Sequence, residues 1–287
     1  MLDALPSTTA LATASVRALH LHIDDAPPVF DDHIASRLLP AYQRRFIRRL
    51  GMLPKPLPSR YRRRYRMLTT MRAQVIVRAR YAEDALRSAR EAGANRYLVL
   101  AAGLDTFALR QAEPAIEVVE IDHPATQRWK RKLLAEHEIK EPAALTFQPM
   151  DFERQSLAEV LSAAAAPDFI SWLGTTYYLS RQAITSTLTI LAERTQPGTQ
   201  LVLDYWREPP LTDPASPLLW GTRIAVALQQ EPMRSFFDPA EIGTLAESCG
   251  WQVAENCAPE EQNRRFLDSR NDGLKVPSFA HLLHLIR

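Results

Sequence analysis

The chain has few cysteines, few glycines and no long apolar run, and each shortage excludes a class of protein. Its 287 residues include only two cysteines, Cys249 and Cys257, which excludes a disulfide scaffold and a thiolate-rich metal site and suits a reducing cytoplasm. Nine glycines exclude collagen-like and glycine-rich linker sequences. The longest clean apolar run, residues 98–104, is far shorter than the roughly 20 residues that span a bilayer. No basic region precedes an apolar stretch at the N-terminus, so we expect no secretory signal and a cytoplasmic location.

Acidic residues are absent from one stretch of the chain, which we call the acid-free segment. Between His33 and Ala82 there is no Asp or Glu, and residues 37–80 hold 14 Lys and Arg, although the formal net charge of the whole chain is only +2. One interpretation is a surface for nucleic acid or another acidic partner. The other is a solvated helix face whose arginine stems cover apolar surface. Both stay open, because Tyr42 and Phe46 suit a core as well as a stacking surface.

Apolar residues make up 46% of the chain, enough for a large core, and they form short runs that alternate with helical stretches. This alternation predicts an α/β fold with a doubly wound, mostly parallel sheet of seven strands. Two late strands without a full helix between them predict an antiparallel hairpin at one edge. The predicted strands are residues 96–101, 116–121, 145–148, 169–173, 200–205, 251–256 and 280–286.

Two segments fall outside this pattern. Residues 1–71 are expected to form a helical N-terminal cap on a main domain of residues 72–287. Residues 206–237 contain five prolines and little regular pattern, so we interpret them as an insertion. Both segments flank the strand ends in this topology, and we expect them to form the substrate pocket and its lid.

Candidate ligand-binding residues follow successive predicted strands, and doubly wound sheets bind ligands beyond the carboxyl ends of their strands. The small-residue turn Ala101, Ala102 and Gly103 follows the first strand and lets a ligand approach the backbone. Asp122 follows the second strand, 19 residues past Gly103, which is the spacing at which a carboxylate accepts hydrogen bonds from a ribose diol. Each signal is weak alone, but their order along the chain indicates one ligand.

The loops after the third and fourth strands extend this series. Asp151 can accept from an exocyclic amine, Phe152 can pack on a base, and the loop that begins Leu173-Gly174 follows the fourth strand. A dinucleotide dehydrogenase would require a three-glycine fingerprint, and of those glycines only Gly103 is present. A ligand with adenosine but without a pyrophosphate fits better, which points to S-adenosylmethionine.

Two strings carry a family resemblance: LAAGLDT at residues 100–106 and EIDHPATQ at residues 120–127. With them, the chain resembles the leucine carboxyl methyltransferase family, and most closely its bacterial branch of polyketide-type O-methyltransferases. The resemblance covers roughly residues 72–287. Further matching strings are RARYAED at 78–84, SWLGTTYYL at 171–179, FFDP at 236–239 and RNDGL at 270–274.

The resemblance implies a class I methyltransferase fold, which is Rossmann-like, and methyl transfer from S-adenosylmethionine to an oxygen, without a metal. By the motif positions, Arg78 holds the methionine carboxylate with Arg80 nearby, Gly103 passes under the methionine moiety, and Asp122 holds the ribose. Asp151 and Phe152 contact the adenine. The cofactor-binding set implied in this way is Arg78, Arg80, Ala101, Ala102, Gly103, Asp122, His123, Asp151, Phe152, Leu173 and Gly174.

The chain departs from the family pattern at two positions. The family usually has Gly where this chain has Ala101, so the first turn is expected to be tighter. The eukaryotic carboxyl methyltransferases have an acidic residue where this chain has Leu173, which puts their substrate, a phosphatase C-terminus, in doubt.

We expect in-line displacement at the sulfonium methyl, with Tyr178 and His123 as candidate catalytic residues. A carboxylate acceptor needs only an arginine to position it, whereas a phenol or alcohol needs a base, for which His123 is the best placed. His123 alternatively serves only as a polar residue at a helix entry. The preferred acceptor is a carboxylate of a secondary metabolite, free or bound to a carrier protein. Two alternatives stay open: a nucleic-acid methyltransferase that uses residues 37–80, and a non-catalytic binder of an adenosyl ligand.

Overall fold

The structure is a computed structural model that describes residues 8–52, 66–111, 115–151, 154–162, 165–228 and 232–287. Its strands are β1 (Arg96–Leu100), β2 (Glu117–Asp122), β3 (Leu145–Pro149), β4 (Phe169–Trp172), β5 (Gln200–Trp206), β6 (Gln252–Cys257) and β7 (Ala280–Ile286). They form one sheet in the order β3-β2-β1-β4-β5-β7-β6. The pairs within β1 to β5 are parallel, and β7 runs antiparallel to both β5 and β6. This arrangement confirms the expected class I methyltransferase fold with an antiparallel edge pair.

Helices cover both faces of the sheet and its carboxyl edge. They are α1 (Thr8–Ile23), α2 (Ala41–Gly51), α3 (Arg66–Glu91), α4 (Phe107–Arg110), α5 (Pro124–Glu136), α6 (Leu157–Ser162), α7 (Arg181–Arg194), α8 (Ser216–Leu228), α9 (Pro239–Ser248) and α10 (Pro259–Phe266). Two short 3₁₀ turns, Ala35–Leu38 and Thr176–Tyr178, join them. No helix in the described part of the chain is both long enough and apolar enough to cross a membrane.

The central strands β1, β4 and β5 are almost wholly buried because helices cover both faces of the sheet there. Successive side chains of a strand point to opposite faces, so β1 divides its side chains between two cores. Leu98 and Leu100 belong to the core that packs on α7 and α9, whereas Tyr97 and Val99 belong to the core that packs on α3. The sheet is therefore fixed on both sides, and only its carboxyl edge is left for a ligand.

Helix α1 lies against the loop that follows β1. Its small residues Ala10, Ala14 and Ala18, four residues apart, form one buried face, and this face packs in a cluster that includes Leu104. Arg17 adds a hydrogen bond from Nη2 to the carbonyl oxygen of Leu104, at 2.6 Å. The N-terminal segment thus reaches the strand ends.

The sequence predicted every strand boundary to within one residue. It missed the 13-residue helix α8, which lies within the 206–237 segment interpreted as an insertion. Pro217 is the second residue of this helix, and a proline in the first turn removes no intrahelical hydrogen bond. The proposed boundary at residues 71 and 72 falls inside α3.

The acid-free segment divides into arginines that face the protein and arginines that face solvent. Arg72 is buried and binds both carboxylate oxygens of Asp24, with Nε at 2.6 Å and Nη2 at 2.7 Å. In contrast, Arg45, Arg48 and Arg49 on α2 are exposed. Part of the positive charge of the acid-free segment is therefore paired with a carboxylate inside the protein. Another part, on α2, lies at the surface.

Candidate functional site

A cavity of about 480 Å³ lies beyond the carboxyl ends of β1, β2 and β4, and we call it the strand-tip cavity. Its wall includes residues of the loops after these strands, part of α3 and the start of α1. Most of the residues that the sequence singled out line it together: Arg78, Ala101, Ala102, Gly103, Asp122, His123, Asp151, Leu173, Gly174 and Tyr178. The sequence-predicted series of strand-end loops therefore converges on one cavity.

The β1/β2 half-site consists of Gly103 and Asp122. The Asp122 carboxylate accepts a short hydrogen bond from the N–H of Gly103 and a second, at 2.6 Å, from the N–H of His123. Gly103 has φ +54°, and a Cβ built there would lie 3.1 Å from the Cβ of Ala10. The loop is therefore held in a left-handed turn that favours glycine, directly beneath α1.

Asp122 carries no ion pair to any of the described residues. Burial raises the pKa of Asp122 above its ordinary value, although the two backbone N–H groups act in the opposite direction. Two carboxylate oxygens can accept about four hydrogen bonds, so roughly two acceptor positions of Asp122 are unused. This half-site can accept hydrogen bonds from a pair of neutral hydroxyl groups.

The β4/β5 half-site consists of Gly174 and Asp204. Arg78 of α3 contacts Asp204 and lines the cavity. Asp204 accepts from the N–H of Gly174 at 2.5 Å and from Nη1 of Arg78 at 2.9 Å. The same Nη1 donates to the hydroxyl of Tyr177 at 3.1 Å. Gly174 has φ +77°, and a Cβ built there would lie only 2.7 Å from Nη2 of Arg78. The absence of a side chain at Gly174 makes room for the guanidinium.

Arg78 stays charged in this buried setting. Burial opposes its charge, but the Asp204 carboxylate outweighs this effect and raises the pKa of Arg78. Burial raises the pKa of Tyr177 to about 12 even beside this cation. Within the described residues, Nε and Nη2 of Arg78 donate to no protein acceptor, so one edge of the guanidinium is available to an anion.

The N-terminal segment contributes a charged wall that the sequence did not predict. Nε of Arg17 binds Asp32 at 2.7 Å, and Nε of Arg110 lies 3.5 Å from the other oxygen of Asp32. Arg110 also forms a short ion pair with Glu83 on α3. Burial alone would raise the pKa of Asp32, but the charges of Arg17 and Arg110 hold it below its ordinary value. These ion pairs fix α1 and the segment after it to the sheet domain.

His123 is used as a helix cap. Its Nδ1 accepts from the N–H of Ala125 at 3.2 Å, at the start of α5, with Pro124 at the first helical position. A neutral imidazole that accepts at Nδ1 carries its proton at Nε2, so its basic nitrogen is engaged by the helix and its other nitrogen can only donate. The geometry thus favours the helix-entry role of His123 over the catalytic one. Tyr178 does line the cavity, with its ring edge-on to that of Tyr177 and the ring centres 4.7 Å apart.

Arg80 is a correction to the predicted set. It does not line the strand-tip cavity: Nε binds Asp84 at 2.7 Å and Nη1 donates to the carbonyl oxygen of Val29 at 3.1 Å. Two residues along an α-helix turn the side chain by about 200°, so Arg78 and Arg80 face different ways on α3. Phe152 lies outside the described residues. In the described ranges, no group of three or more His, Cys, Asp or Glu is arranged to hold a metal ion.

Sequence reasoning also missed Asp204, Asp32 and Arg17. The sequence pattern could have identified Asp204, because it is a single acid inside the apolar run of β5 and such a residue requires a buried partner. No such pattern indicated Asp32 and Arg17, because their partners come from distant parts of the chain.

Comparison with known proteins identifies the family of the chain. The sequence profile of the leucine carboxyl methyltransferase family matches residues 10–192. The Bacillus subtilis (strain 168) protein YktD, named as an S-adenosyl-L-methionine-dependent methyltransferase, is 31% identical over 298 residues, which cover 98% of this chain and 98% of YktD. A Streptomyces coelicolor protein with the same kind of name is 28% identical over 253 residues, 86% of this chain and 83% of that protein.

Among solved structures, magnesium protoporphyrin IX methyltransferase from Synechocystis PCC 6803 with bound SAM matches with a TM-score of 0.48 at 11% identity, over 80% of this chain and 90% of that chain. The profile match spans more than half of the sequence, and YktD is matched over nearly its full length. The chain belongs to the leucine carboxyl methyltransferase family of S-adenosylmethionine-dependent methyltransferases.

Proposed function

We propose that this enzyme transfers the methyl group of S-adenosylmethionine to an oxygen atom of a small-molecule acceptor, preferably a carboxylate of a secondary metabolite. The observation that carries the carboxylate preference is that the acid and base groups of the strand-tip cavity are already engaged within the protein. A carboxylate acceptor arrives ionised and needs no base, whereas a phenol or alcohol must lose a proton.

The two half-sites fit the cofactor in different ways. The unused acceptor positions of Asp122 suit the two hydroxyls of a ribose, and the free edge of Arg78 suits the methionine carboxylate. Gly103 lines the cavity between them. Asp151 also lines the cavity and is assigned to the adenine.

The groups that could serve as a base are occupied. His123 caps α5 through Nδ1, and Asp32 is paired with two arginines. Asp105 accepts from the N–H of Phe107 at 2.8 Å, and the acceptor positions that Asp122 keeps beside its two backbone N–H contacts are those assigned to the ribose. An acceptor that requires proton removal would have to displace one of these contacts.

Catalysis on a carboxylate is then mainly a matter of position. The bound cofactor supplies a methyl group already activated by a sulfonium. One oxygen of the acceptor would bond to the methyl carbon as the carbon–sulfur bond breaks, and the electron pair of that bond would stay on sulfur as a neutral thioether. Arg78 would hold the carboxylate of the donor and Asp122 its ribose, and residues of α1 line the cavity beside them. Alignment of this kind can supply about 7–11 kcal/mol.

Hydroxybenzoic acids test the proposal, because each molecule offers a carboxylate and a phenol to the same enzyme. The protein is incubated with methyl-deuterated S-adenosylmethionine and a panel of hydroxybenzoic and aliphatic hydroxy acids, and the products are analysed by mass spectrometry before and after alkaline hydrolysis. We expect base-labile methyl esters. Base-stable methyl ethers as the sole products would reject the carboxylate preference but not the methyltransferase activity.

A further inference from the structure

Arg234 lies at the rim of the strand-tip cavity, in the segment between β5 and α9. It is exposed and lines the cavity beside Tyr178. Its backbone N–H donates to the carbonyl oxygen of Tyr177 at 2.7 Å, and the hydroxyl of the next residue, Ser235, donates to the carbonyl oxygen of Leu179 at 2.6 Å. The backbone at Arg234 is therefore fixed to the turn after β4, while its side chain is free to reach a ligand.

The arginines of the cavity wall differ in their partners. Arg17, Arg78 and Arg110 each face a carboxylate, at 2.7 Å, at 2.9 Å and in a short contact, respectively. Arg234 has no ion pair and no side-chain hydrogen bond within the described ranges. It thus adds an uncompensated positive charge to a wall whose other cations are neutralised.

We propose that Arg234 binds the carboxylate of the methyl acceptor and selects anionic acceptors; the inference rests on the proposed function. A guanidinium can hold a carboxylate through two parallel N–H···O bonds. Such a pair uses about two of the four acceptor positions of the carboxylate, and the remaining positions stay available for attack on the methyl group. The buried Arg78 is assigned to the methionine carboxylate of the cofactor. Arg234 at the rim and Arg78 deeper in the cavity would therefore bind two different carboxylates.

This assignment implies that the insertion of residues 206–237 selects the acceptor. The cofactor contacts lie on α3 and on the loops after β1, β2 and β4, whereas Arg234 lies in the stretch that the sequence predicted as a lid. Acceptor selection is then separate from cofactor binding, and a change at Arg234 can alter one without the other.

The test compares Arg234→Gln and Arg234→Lys with Arg207→Gln as a matched control. Arg207 belongs to the same insertion and is half exposed, but it pairs with Asp238 at 3.0 Å and does not line the cavity. Calorimetry measures the binding of S-adenosylhomocysteine, and then the binding of a carboxylic acid to the enzyme saturated with it. The probe is the best substrate of the acid panel, or 4-hydroxybenzoate where no acid is methylated.

We expect Arg234→Gln to weaken the binding of the carboxylic acid and to raise its KM by about ten-fold. The kcat and the Kd for S-adenosylhomocysteine should be nearly unchanged. Arg234→Lys should recover part of the loss, and Arg207→Gln should have no effect. Unchanged acid binding in Arg234→Gln, or a weakened S-adenosylhomocysteine complex, overturns the assignment. Acid binding that depends on Arg234 without ester formation overturns the proposed function alone. Wild-type protein that neither binds nor methylates any acid overturns both.

Discussion

The β1/β2 half-site and the β4/β5 half-site share one backbone plan and differ in one cation. In each, a carboxylate on one strand accepts from the N–H of a left-handed glycine in the loop after the neighbouring strand: Asp122 from Gly103, and Asp204 from Gly174. Asp204 also binds Arg78, whereas Asp122 has no ion-pair partner within the described residues. The same local geometry thus produces one neutralised carboxylate and one that is held by backbone groups alone.

The cation decides what each half-site can bind. Asp204 is occupied by Arg78, so this half-site offers the free edge of a guanidinium and suits an anion. Asp122 keeps acceptor positions in a buried setting, so it suits neutral donors such as hydroxyls. A single cofactor with a carboxylate at one end and a ribose in its middle matches both.

The largest expected effect is on stability, at the second half-site. Asp204→Ala leaves the Arg78 cation unpaired, with side chains only 9% and 2% exposed in the native pair, and should lower the free energy of unfolding by about 3–5 kcal/mol. Asp122→Ala removes no partner of a buried cation and should lower it by less. Urea denaturation followed by fluorescence measures both values.

A double variant separates charge from packing in this prediction. If the loss comes from the unpaired cation, Arg78→Met combined with Asp204→Leu should be more stable than Asp204→Ala alone, because no buried charge remains. Equal losses in Asp204→Ala and Asp122→Ala would remove the distinction between the half-sites.

The next effect is on cofactor affinity, at the first half-site. Asp122→Ala should weaken the binding of S-adenosylhomocysteine by about 10–100-fold in calorimetry, because it removes the proposed acceptor of two ribose hydroxyls. Burial raises the pKa of Asp122, so the wild-type affinity should decline on acidification at a higher pH than for an ordinary aspartate. Asp122→Asn should bind more weakly and lack this decline. A decline that persists in Asp122→Asn would assign the titration to another group.

The first half-site could be predicted from the sequence because its signals are local. Gly103 follows an apolar strand within a turn of small residues, and Asp122 ends the next strand at a spacing typical of ribose binding. Each depends on a short window and on the rule that ligands bind at the carboxyl ends of parallel strands. The positions of the seven strands followed from the same kind of window, because apolar runs alternate with helical ones along the chain.

The pairing of Arg78 with Asp204 in the second half-site could not be predicted, because it joins residues that are distant in sequence. Arg78 and Asp204 are 126 residues apart, and Arg17 and Leu104 are 87 apart. The resemblance assigned Arg78 to the cofactor but could not indicate that a carboxylate on β5 holds it. Arg80 was placed wrongly because proximity in sequence does not mean a shared helix face. α8 was missed because prolines dominate its surroundings, although Pro217 lies where a helix tolerates it.

The two glycines offer the next contrast, since each has a different neighbour. At Gly174 a Cβ would lie 2.7 Å from Nη2 of Arg78, and at Gly103 it would lie 3.1 Å from the Cβ of Ala10. With the left-handed strain included, we expect losses of about 2 kcal/mol for Gly174→Ala and about 1–2 kcal/mol for Gly103→Ala in urea denaturation. Gly198→Ala is the control, because Gly198 has φ +92° with open space around it and reports strain alone.

Function should separate these variants further. Gly174→Ala should displace the guanidinium of Arg78 and weaken the binding of S-adenosylhomocysteine. Gly198→Ala should leave this binding unchanged. Adding Ala10→Gly to Gly103→Ala should restore part of the lost stability, corrected for the cost of Ala10→Gly alone, because it removes the methyl group in the contact. No recovery in the double variant would assign the loss at Gly103 to strain rather than to α1.

The smallest effect concerns Ala101, which adopts φ +53° where the family usually has glycine. An alanine in the left-handed region costs about 1–2 kcal/mol of backbone strain, which glycine relieves. Glycine loses about 0.5–1 kcal/mol more backbone entropy on folding than alanine does. Ala101→Gly should therefore stabilise the protein by about 0.5 kcal/mol. Glu138→Gly is a matched control, because Glu138 has φ +52° after the end of α5 and is remote from the cavity. Both variants should raise Tm slightly, but only Ala101→Gly should alter S-adenosylhomocysteine affinity. A loss of stability in Ala101→Gly alone would mean that the methyl group of Ala101 packs against the cavity wall and offsets its own backbone strain.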